Sequence, residues 1–280
     1  MGGTSVLFYL STIADIQYEW DEENQLEDMH YVHYCGPLAK ENGLGLELAE
    51  FCLADNCQHP DRVKTFFEEN VKNYVGNLVY HAPYNELFPH AIEPKVVEVA
   101  YQRYEASYLL CEQLGIPKMV AHANQVPSLY YPEWFVARQI RFWKRFLTEH
   151  PGKCMICLEN VMEADPKLLT DIVKGVDDPR LRLCLDVGHA NLQPTPLTAW
   201  LTAMGPYLSH LHIHNNEGPV AGAISAKGDL HRGLGNGQIP MEEILRKAEE
   251  LNPELTATIE SVELEESIEW LKQHDFIRGN

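Results

Sequence analysis

Short apolar runs alternate with longer amphipathic segments along the whole chain. The apolar runs have the length of buried strands, and the longer segments repeat apolar residues at helical spacing. The predicted strands are Ser5–Ser11, Leu44–Phe51, Asn77–Ala82, Lys118–Ala123, Met155–Glu159, Leu181–Asp186, Leu208–His214 and Ala257–Glu260. The predicted helices are Glu22–Glu41, Pro60–Tyr74, Glu93–Leu114, Pro132–His150, Asp165–Val173, Pro196–Met204, Met241–Leu251 and Leu264–Gln273.

This strict alternation predicts an α/β protein built as a closed parallel (β/α)8 barrel, or TIM barrel. The chain has 280 residues, which suits one such barrel of typically ~250 residues. We therefore expect a single domain over residues 1–280. The alternative is an open doubly wound sheet, which more often carries a glycine-rich phosphate loop after its first strand. No G-x-G-x-x-G sequence follows Ser11, so the barrel is preferred.

The charge of the chain argues against a nucleic-acid partner. Lysine and arginine number 22 against 41 aspartates and glutamates, giving a formal net charge of −19. Non-specific affinity for nucleic acids comes mainly from basic side chains, and a negative field repels polyanions. We expect the partner to be a small molecule instead.

The cysteines and the N-terminal segment predict a cytoplasmic protein. Seven cysteines without a repeated paired spacing are typical of a reducing compartment. Cys154 and Cys157 form a C-x-x-C sequence inside a predicted strand, where positions three apart point to opposite faces, so we expect core thiols. The apolar stretch Val6–Leu10 has no basic flank and is too short to cross a membrane.

The predicted strands end in side chains that suit a metal centre. Histidines and carboxylates stand at six consecutive strand ends and in the loop after the seventh strand: His81, His122, Glu159, Asp186, His189, His212, Asp229, His231 and Glu260. In a parallel barrel these ends converge over one core. Imidazole and carboxylate bind zinc, manganese and related ions, and several buried carboxylates without a cation would be costly. A divalent-metal centre is therefore predicted.

The same positions carry a family resemblance. The motifs His81-Ala-Pro-Tyr84, Leu-Glu159-Asn, Leu-Asp186-Val-Gly-His189-Ala, His-Leu-His212-Ile-His-Asn and Asp229-x-His231 resemble those of the xylose isomerase-like TIM-barrel superfamily. That superfamily contains sugar isomerases and epimerases and also the endonuclease IV family. The resemblance implies an enzyme, but it leaves two metal arrangements open.

The first arrangement is that of the sugar epimerases. It implies one ion, and its four ligands would be Glu159, Asp186, His212 and Glu260. The second is the three-zinc cluster of endonuclease IV, for which every ligand has a candidate here. Three groups would each hold one ion, with Glu159 shared by the first two: His81, His122 and Glu159; Glu159, Asp186, His212 and Glu260; His189, Asp229 and His231.

The residues beside the ligands favour the first arrangement. Val187 and Gly188 follow Asp186, and His214 and Asn215 follow His212, which resembles the members that are sugar isomerases more than endonuclease IV. We therefore predict a divalent-metal-dependent isomerase or epimerase acting on a sugar or sugar-like polyol, with one to three zinc or manganese ions.

In the predicted reaction Glu159 and Glu260 transfer protons beside a carbonyl group. His189, Arg232 and Tyr84 would contact the substrate. The alternatives are a multi-zinc phosphoester hydrolase of the abasic-site endonuclease type and a barrel that binds without catalysis. The particular sugar, its phosphorylation and the oligomeric state stay open.

Overall fold

A computed structural model describes residues 6–12, 32–49, 59–74, 76–220 and 228–278. Eight parallel strands pair in chain order, and the last pairs with the first, so the sheet is a closed barrel. This confirms the predicted (β/α)8 fold. The strands are β1 Leu7–Ser11, β2 Gly45–Leu48, β3 Leu78–His81, β4 Lys118–His122, β5 Met155–Glu159, β6 Leu181–Asp186, β7 Leu208–Ile213 and β8 Thr256–Ile259.

Helices follow the strands around the outside of the barrel. They are α1 Val32–Asn42, α2 Pro60–Phe66, α3 Pro94–Leu114, α4 Pro132–Glu149, α5 Lys167–Val176, α6 Val187–Asn191, α7 Leu197–Met204, α8 Met241–Leu251 and α9 Leu264–Gln273. A π-helical turn, Phe67–Val71, extends α2, and a 3₁₀ turn, Gly205–Tyr207, extends α7. Most agree with the prediction within a few residues. The predicted start of the first helix at Glu22 lies outside the described residues, and the short helix α6 was not predicted.

Two layers of core hold the barrel together. Between helices and strands lie large buried side chains such as Trp143, Trp200 and Tyr104. Inside the barrel a small separate cluster consists of Tyr9, Val79, Val120, Cys157 and Cys184. This inner plug closes the middle of the barrel, so the polar residues nearer the strand ends lie above a packed floor.

Cys154 and Cys157 lie in different layers, as the strand interpretation predicts. Cys154 belongs to the outer core and Cys157 to the inner plug. Burial raises the pKa of Cys157 to about 12, so it remains a neutral thiol at physiological pH.

Within the described residues, no helix is both long enough and apolar enough to cross a membrane.

Candidate metal centre

The predicted ligands meet above the inner plug, at the carboxyl ends of the strands. His81, His122, Glu159 and Asp186 are the last residues of β3 to β6. His212 is the next-to-last residue of β7, and Glu260 directly follows β8. Because all strands run the same way, neighbouring ends pair in register, as Asp186 does with His212. All six residues are buried.

Three carboxylates surround one nitrogen of His212. Its Nδ1 lies 3.3 Å from Glu159 Oε2, 3.5 Å from Glu260 Oε2 and 4.0 Å from Asp186 Oδ2. Ligands about 2.0–2.2 Å from one ion stand roughly 3–4 Å from each other. His212 Nδ1 and Glu159 Oε2 are also buried without a hydrogen-bond partner among the described residues. The four residues therefore fit a divalent ion.

A second ligand group adjoins the first through Glu159. His122 Nε2 lies 3.2 Å and His81 Nε2 lies 3.6 Å from Glu159 Oε2. The two imidazole rings meet edge to face, with centroids 5.0 Å apart. The same oxygen of Glu159 therefore faces both groups.

A third group lies beside Asp186. Asp229 Oδ2 is 3.1 Å from His189 Nε2 and 3.3 Å from His231 Nε2. The structure adds His214, whose Nε2 lies 3.2 Å from Asp186 Oδ1 and whose ring stacks on His231 with centroids 3.8 Å apart. Potential ligand atoms of His189, His214, Asp229 and His231 all lie within 4.8 Å of one another.

Backbone carbonyls prepare three of the histidines to accept a cation. The Nδ1–H groups of His81, His189 and His231 donate to the carbonyl oxygens of Ala82, Asn160 and Glu260, at 2.9, 3.0 and 2.6 Å. In a neutral imidazole this leaves the Nε2 lone pair free. At His189 and His231 that lone pair faces a carboxylate of Asp229, so a positive charge is needed between them.

The electrostatics of the site show the same need for positive charge. Burial alone would raise the pKa of Glu159, but His122 and His212 hold that pKa well below its ordinary value. Burial would likewise lower the pKa of His189, yet Asp186 and Asp229 raise it well above its ordinary value. For His231, Asp229 outweighs burial and raises the pKa to about 9. Protons or a metal cation can meet this demand.

A cavity of about 700 Å³ opens above the ligands. Glu159, Glu260, His189 and Asp229 form part of its polar wall. The lining also includes the apolar or aromatic side chains of Tyr84, Phe88, Val161, Met162, Leu230 and Val262. Tyr84 stacks over His122, with ring centroids 4.5 Å apart.

Arg232, a predicted substrate contact, lies outside the lining of this cavity. Its guanidinium group forms an ion pair with Glu217 at 2.5 Å, and its backbone pairs with Asn215.

The sequence interpretation missed three buried residues of this region. His210 and His214 belong to the H-x-H-x-H run of β7, whose alternate positions all point inward, but only His212 was assigned. Glu47 is a lone carboxylate inside the apolar strand β2. A charged residue in so short an apolar strand is rarely buried unless it is paired, and that was the available signal.

Gly188 makes room for His214, and this can be tested by substitution. A Cβ atom at position 188 would lie 2.0 Å from His214 Cε1. We expect Gly188→Ala to displace the imidazole and to destabilise the protein by about 1–3 kcal/mol, the usual cost of overpacking. The measurement is chemical unfolding, with Gly76→Ala as the matched control because a Cβ there meets nothing within 4 Å. Equal stabilities of the two variants would contradict the close packing.

Residues 42–274 match the xylose isomerase-like TIM barrel family, so the chain belongs to that family. An uncharacterized protein of Methanocaldococcus jannaschii is 24% identical over 78% of this chain and 75% of its own. The crystal structure of a D-tagatose 3-epimerase-like protein is similar with a TM-score of 0.68 and 19% identity, over 96% of this chain and 97% of its own. A Thermus thermophilus protein soaked with ZnCl2 has a TM-score of 0.68 and 20% identity, over 97% of this chain and 98% of its own. At these identities the structural likeness describes the fold.

Proposed function

We propose that this xylose isomerase-like barrel is a divalent-metal-dependent isomerase or epimerase of a sugar or sugar-like polyol. The observation that carries the proposal is the placement of Glu159 and Glu260. Each has an oxygen within 3.5 Å of His212 Nδ1, and both line the open cavity. Two carboxylates and a cation at the base of one substrate-sized cavity suit proton transfer beside a carbonyl group. The likeness to the D-tagatose 3-epimerase-like protein agrees with this chemistry.

In this proposal Glu159, Asp186, His212 and Glu260 hold one zinc or manganese ion. When bound, the ion supplies Lewis acidity that polarises the carbonyl and hydroxyl oxygens of the substrate. The histidines around Glu159 keep it ionised, as a general base must be. One glutamate removes the proton next to the carbonyl, and the other returns a proton to the opposite face in an epimerisation.

The remaining cavity residues orient the substrate. His189 lies on the polar wall, where it can contact a substrate hydroxyl group. The ring of Tyr84 is held against His122 and offers an aromatic face to the apolar side of a sugar ring. Asp229 and His231 complete the polar wall next to His189.

We further propose that the substrate is uncharged. The described residues that line the cavity include no lysine or arginine. In the loop after β7 the cations are Lys227, which lies outside the described residues, and Arg232, which is paired with Glu217. A phosphate group in the cavity would be repelled by the carboxylates of Glu159, Asp229 and Glu260.

The test is solvent exchange. Metal-loaded protein is incubated in D2O with a panel of free ketoses and aldoses and with their phosphate esters. We expect deuterium to appear next to the carbonyl of at least one free sugar, and epimer or isomer to accumulate. Exchange only with phosphate esters would contradict the uncharged substrate, and no exchange with any member would contradict the isomerase proposal.

A phosphoester hydrolase is the second candidate, because the three ligand groups match the full set expected for three cations. We expect the purified protein to retain about one ion per chain after dialysis, measured by elemental analysis. We also expect no incision of a duplex with an abasic site. Three tightly held zinc ions together with incision, weakened steeply by salt as phosphate contacts are, would reverse the order of the two candidates.

A further inference from the structure

Glu47 lies inside the barrel, beneath the metal centre, and three side chains direct hydrogens to it. Its Oε2 is 3.0 Å from His210 Nε2 and 2.5 Å from the hydroxyl of Thr258. Its Oε1 is 3.1 Å from His212 Nε2. The carboxylate is fully buried. Its two oxygens face two imidazole nitrogens and one hydroxyl group, so the carboxylate is placed as the common acceptor of three hydrogen bonds.

The polar contacts continue away from the cavity. His210 Nδ1 lies 2.6 Å from Thr256 Oγ1. The ammonium group of Lys118 donates to the same hydroxyl oxygen at 2.8 Å and to the carbonyl oxygen of Ser209 at 2.8 Å. Lys118, Thr256, His210 and Glu47 thus form a polar column along the barrel axis that ends at His212.

One arrangement of hydrogens gives every nitrogen and oxygen of the polar column a partner and directs a hydrogen to each oxygen of Glu47. Lysine can only donate, so the hydroxyl of Thr256 accepts from Lys118 and donates its own hydrogen to His210 Nδ1. Since Nδ1 of His210 accepts this hydrogen, the hydrogen of the neutral ring is on Nε2, which lies 3.0 Å from Glu47 Oε2 and 2.9 Å from the Thr258 hydroxyl oxygen. If Thr256 donated instead to the Ser209 carbonyl at 3.2 Å, the Nε2 lone pair of His210 would face the carboxylate.

The ring of His212 has its hydrogen on the side of Glu47. Its Nε2 lies 3.1 Å from the Glu47 carboxylate and donates to it, while its Nδ1 lies among Glu159, Asp186 and Glu260. His81, His189 and His231 have the opposite tautomer, each set by a backbone carbonyl. His212 is therefore the one of these four histidines whose free nitrogen depends on a side chain.

We propose that Glu47 is a positioning residue that holds His212 as the Nε2–H tautomer and directs its Nδ1 lone pair to the metal ion. This inference rests on the metal centre of the proposed function, not on the sugar reaction. A carboxylate behind a metal-bound histidine fixes the ring and raises its basicity, and loss of such a partner typically lowers metal affinity by ~10–100-fold.

The test is Glu47→Gln, which keeps the shape of the side chain but replaces one acceptor oxygen by an NH2 group. The amide cannot accept from both imidazoles. We expect the affinity for Zn²⁺ and Co²⁺, measured by competition with a chromophoric chelator, to fall by ~10–100-fold. The visible absorption of the Co²⁺-loaded protein should also change.

Glu163→Gln is the matched control. Glu163 is another buried glutamate, but its carboxylate accepts from the backbone N–H groups of Val161 and Gln125. This variant should bind both ions within about threefold of wild type, which is smaller than the ~10–100-fold loss expected for Glu47→Gln. Wild-type affinity and an unchanged Co²⁺ spectrum in Glu47→Gln would overturn the proposal, even if that variant melted at a lower temperature.

A second measurement uses the wild-type protein and does not depend on the variant folding. In zinc-loaded protein labelled with ¹⁵N-histidine, we expect the NMR signals of His212 to show a hydrogen on Nε2 and none on Nδ1. A hydrogen on Nδ1 would overturn the proposal. Neither measurement uses a sugar, so a failure of the isomerase proposal is seen separately in the D2O exchange experiment.

Discussion

Replacement of Glu159 or Glu260 by glutamine is expected to reduce the turnover number by about 10²–10⁴-fold, the usual contribution of a general acid or base. Glutamine keeps the size of the side chain and an oxygen that can still bind metal, but it cannot take up a proton. The measurement is the steady-state rate with the sugar that exchanges best, at saturating metal and substrate. Metal content is determined in the same samples, because both glutamates also adjoin His212 Nδ1.

Glu86→Gln serves as the matched control for this pair. Glu86 lines the same cavity but is exposed on the loop after β3, so its loss should change the rate only slightly. The two active-site variants should also lose deuterium exchange, whereas the control should retain it. If both variants turned over at the wild-type rate with metal still bound, the assignment of acid and base would be wrong.

Removal of divalent ions is expected to abolish turnover and to lower the melting temperature. A ligand present at 1,000 times its dissociation constant stabilises the folded state by about 4 kcal/mol, which corresponds to a shift of roughly 10 °C for a protein of this size. The measurement is thermal unfolding after chelation and again after adding Zn²⁺ or Mn²⁺. Mg²⁺ is the control ion, because it prefers a shell of oxygen ligands with several waters, whereas His212 supplies an imidazole nitrogen to this centre.

The stabilisation by metal should grow as the pH rises from 6.5 to 9. The folded state raises the pKa of His231 to about 9, above its ordinary value of about 6.5. In metal-free protein this contribution is complete below pH 6.5 and is lost as the pH rises through 9. Asp186, a proposed metal ligand that also raises the His231 pKa, then depends more on the bound ion for positive charge. Over the same range protons compete less with the ion. Identical melting curves with and without zinc at pH 8 would contradict a metal centre.

The barrel could be predicted from the sequence because strand and helix patterns alternate along the chain in the same order as the elements of the fold. Strands β5 and β6 were predicted with the bounds that the structure shows, since each is an apolar run that ends at a carboxylate. Most of the predicted ligand residues lie close together because they stand at or just after a strand end, where the topology brings them together. Asp229 and His231 reach the same place from the loop after β7.

The residues that were missed depend on contacts between distant parts of the chain. Glu47 acquires its role from His210, His212 and Thr258, which lie more than 160 residues further along. The place of His214 depends on the missing side chain of Gly188. No local pattern reveals such pairings. Arg232 was predicted to contact the substrate because it lies in the loop after β7. Its ion pair with Glu217 is seen only in the structure.

The polar column restricts how relatives of this protein can diverge. If Glu47 alone were replaced by an apolar residue, the buried hydrogens of His210 and Thr258 would lose their acceptor, at a cost of about 1–3 kcal/mol for each unpaired group. Replacing all partners together by apolar residues of similar shape costs far less. We therefore expect positions 47, 210 and 258 to covary. Homologues should keep all three polar residues or replace all three, and homologues with only one of them replaced should be rare.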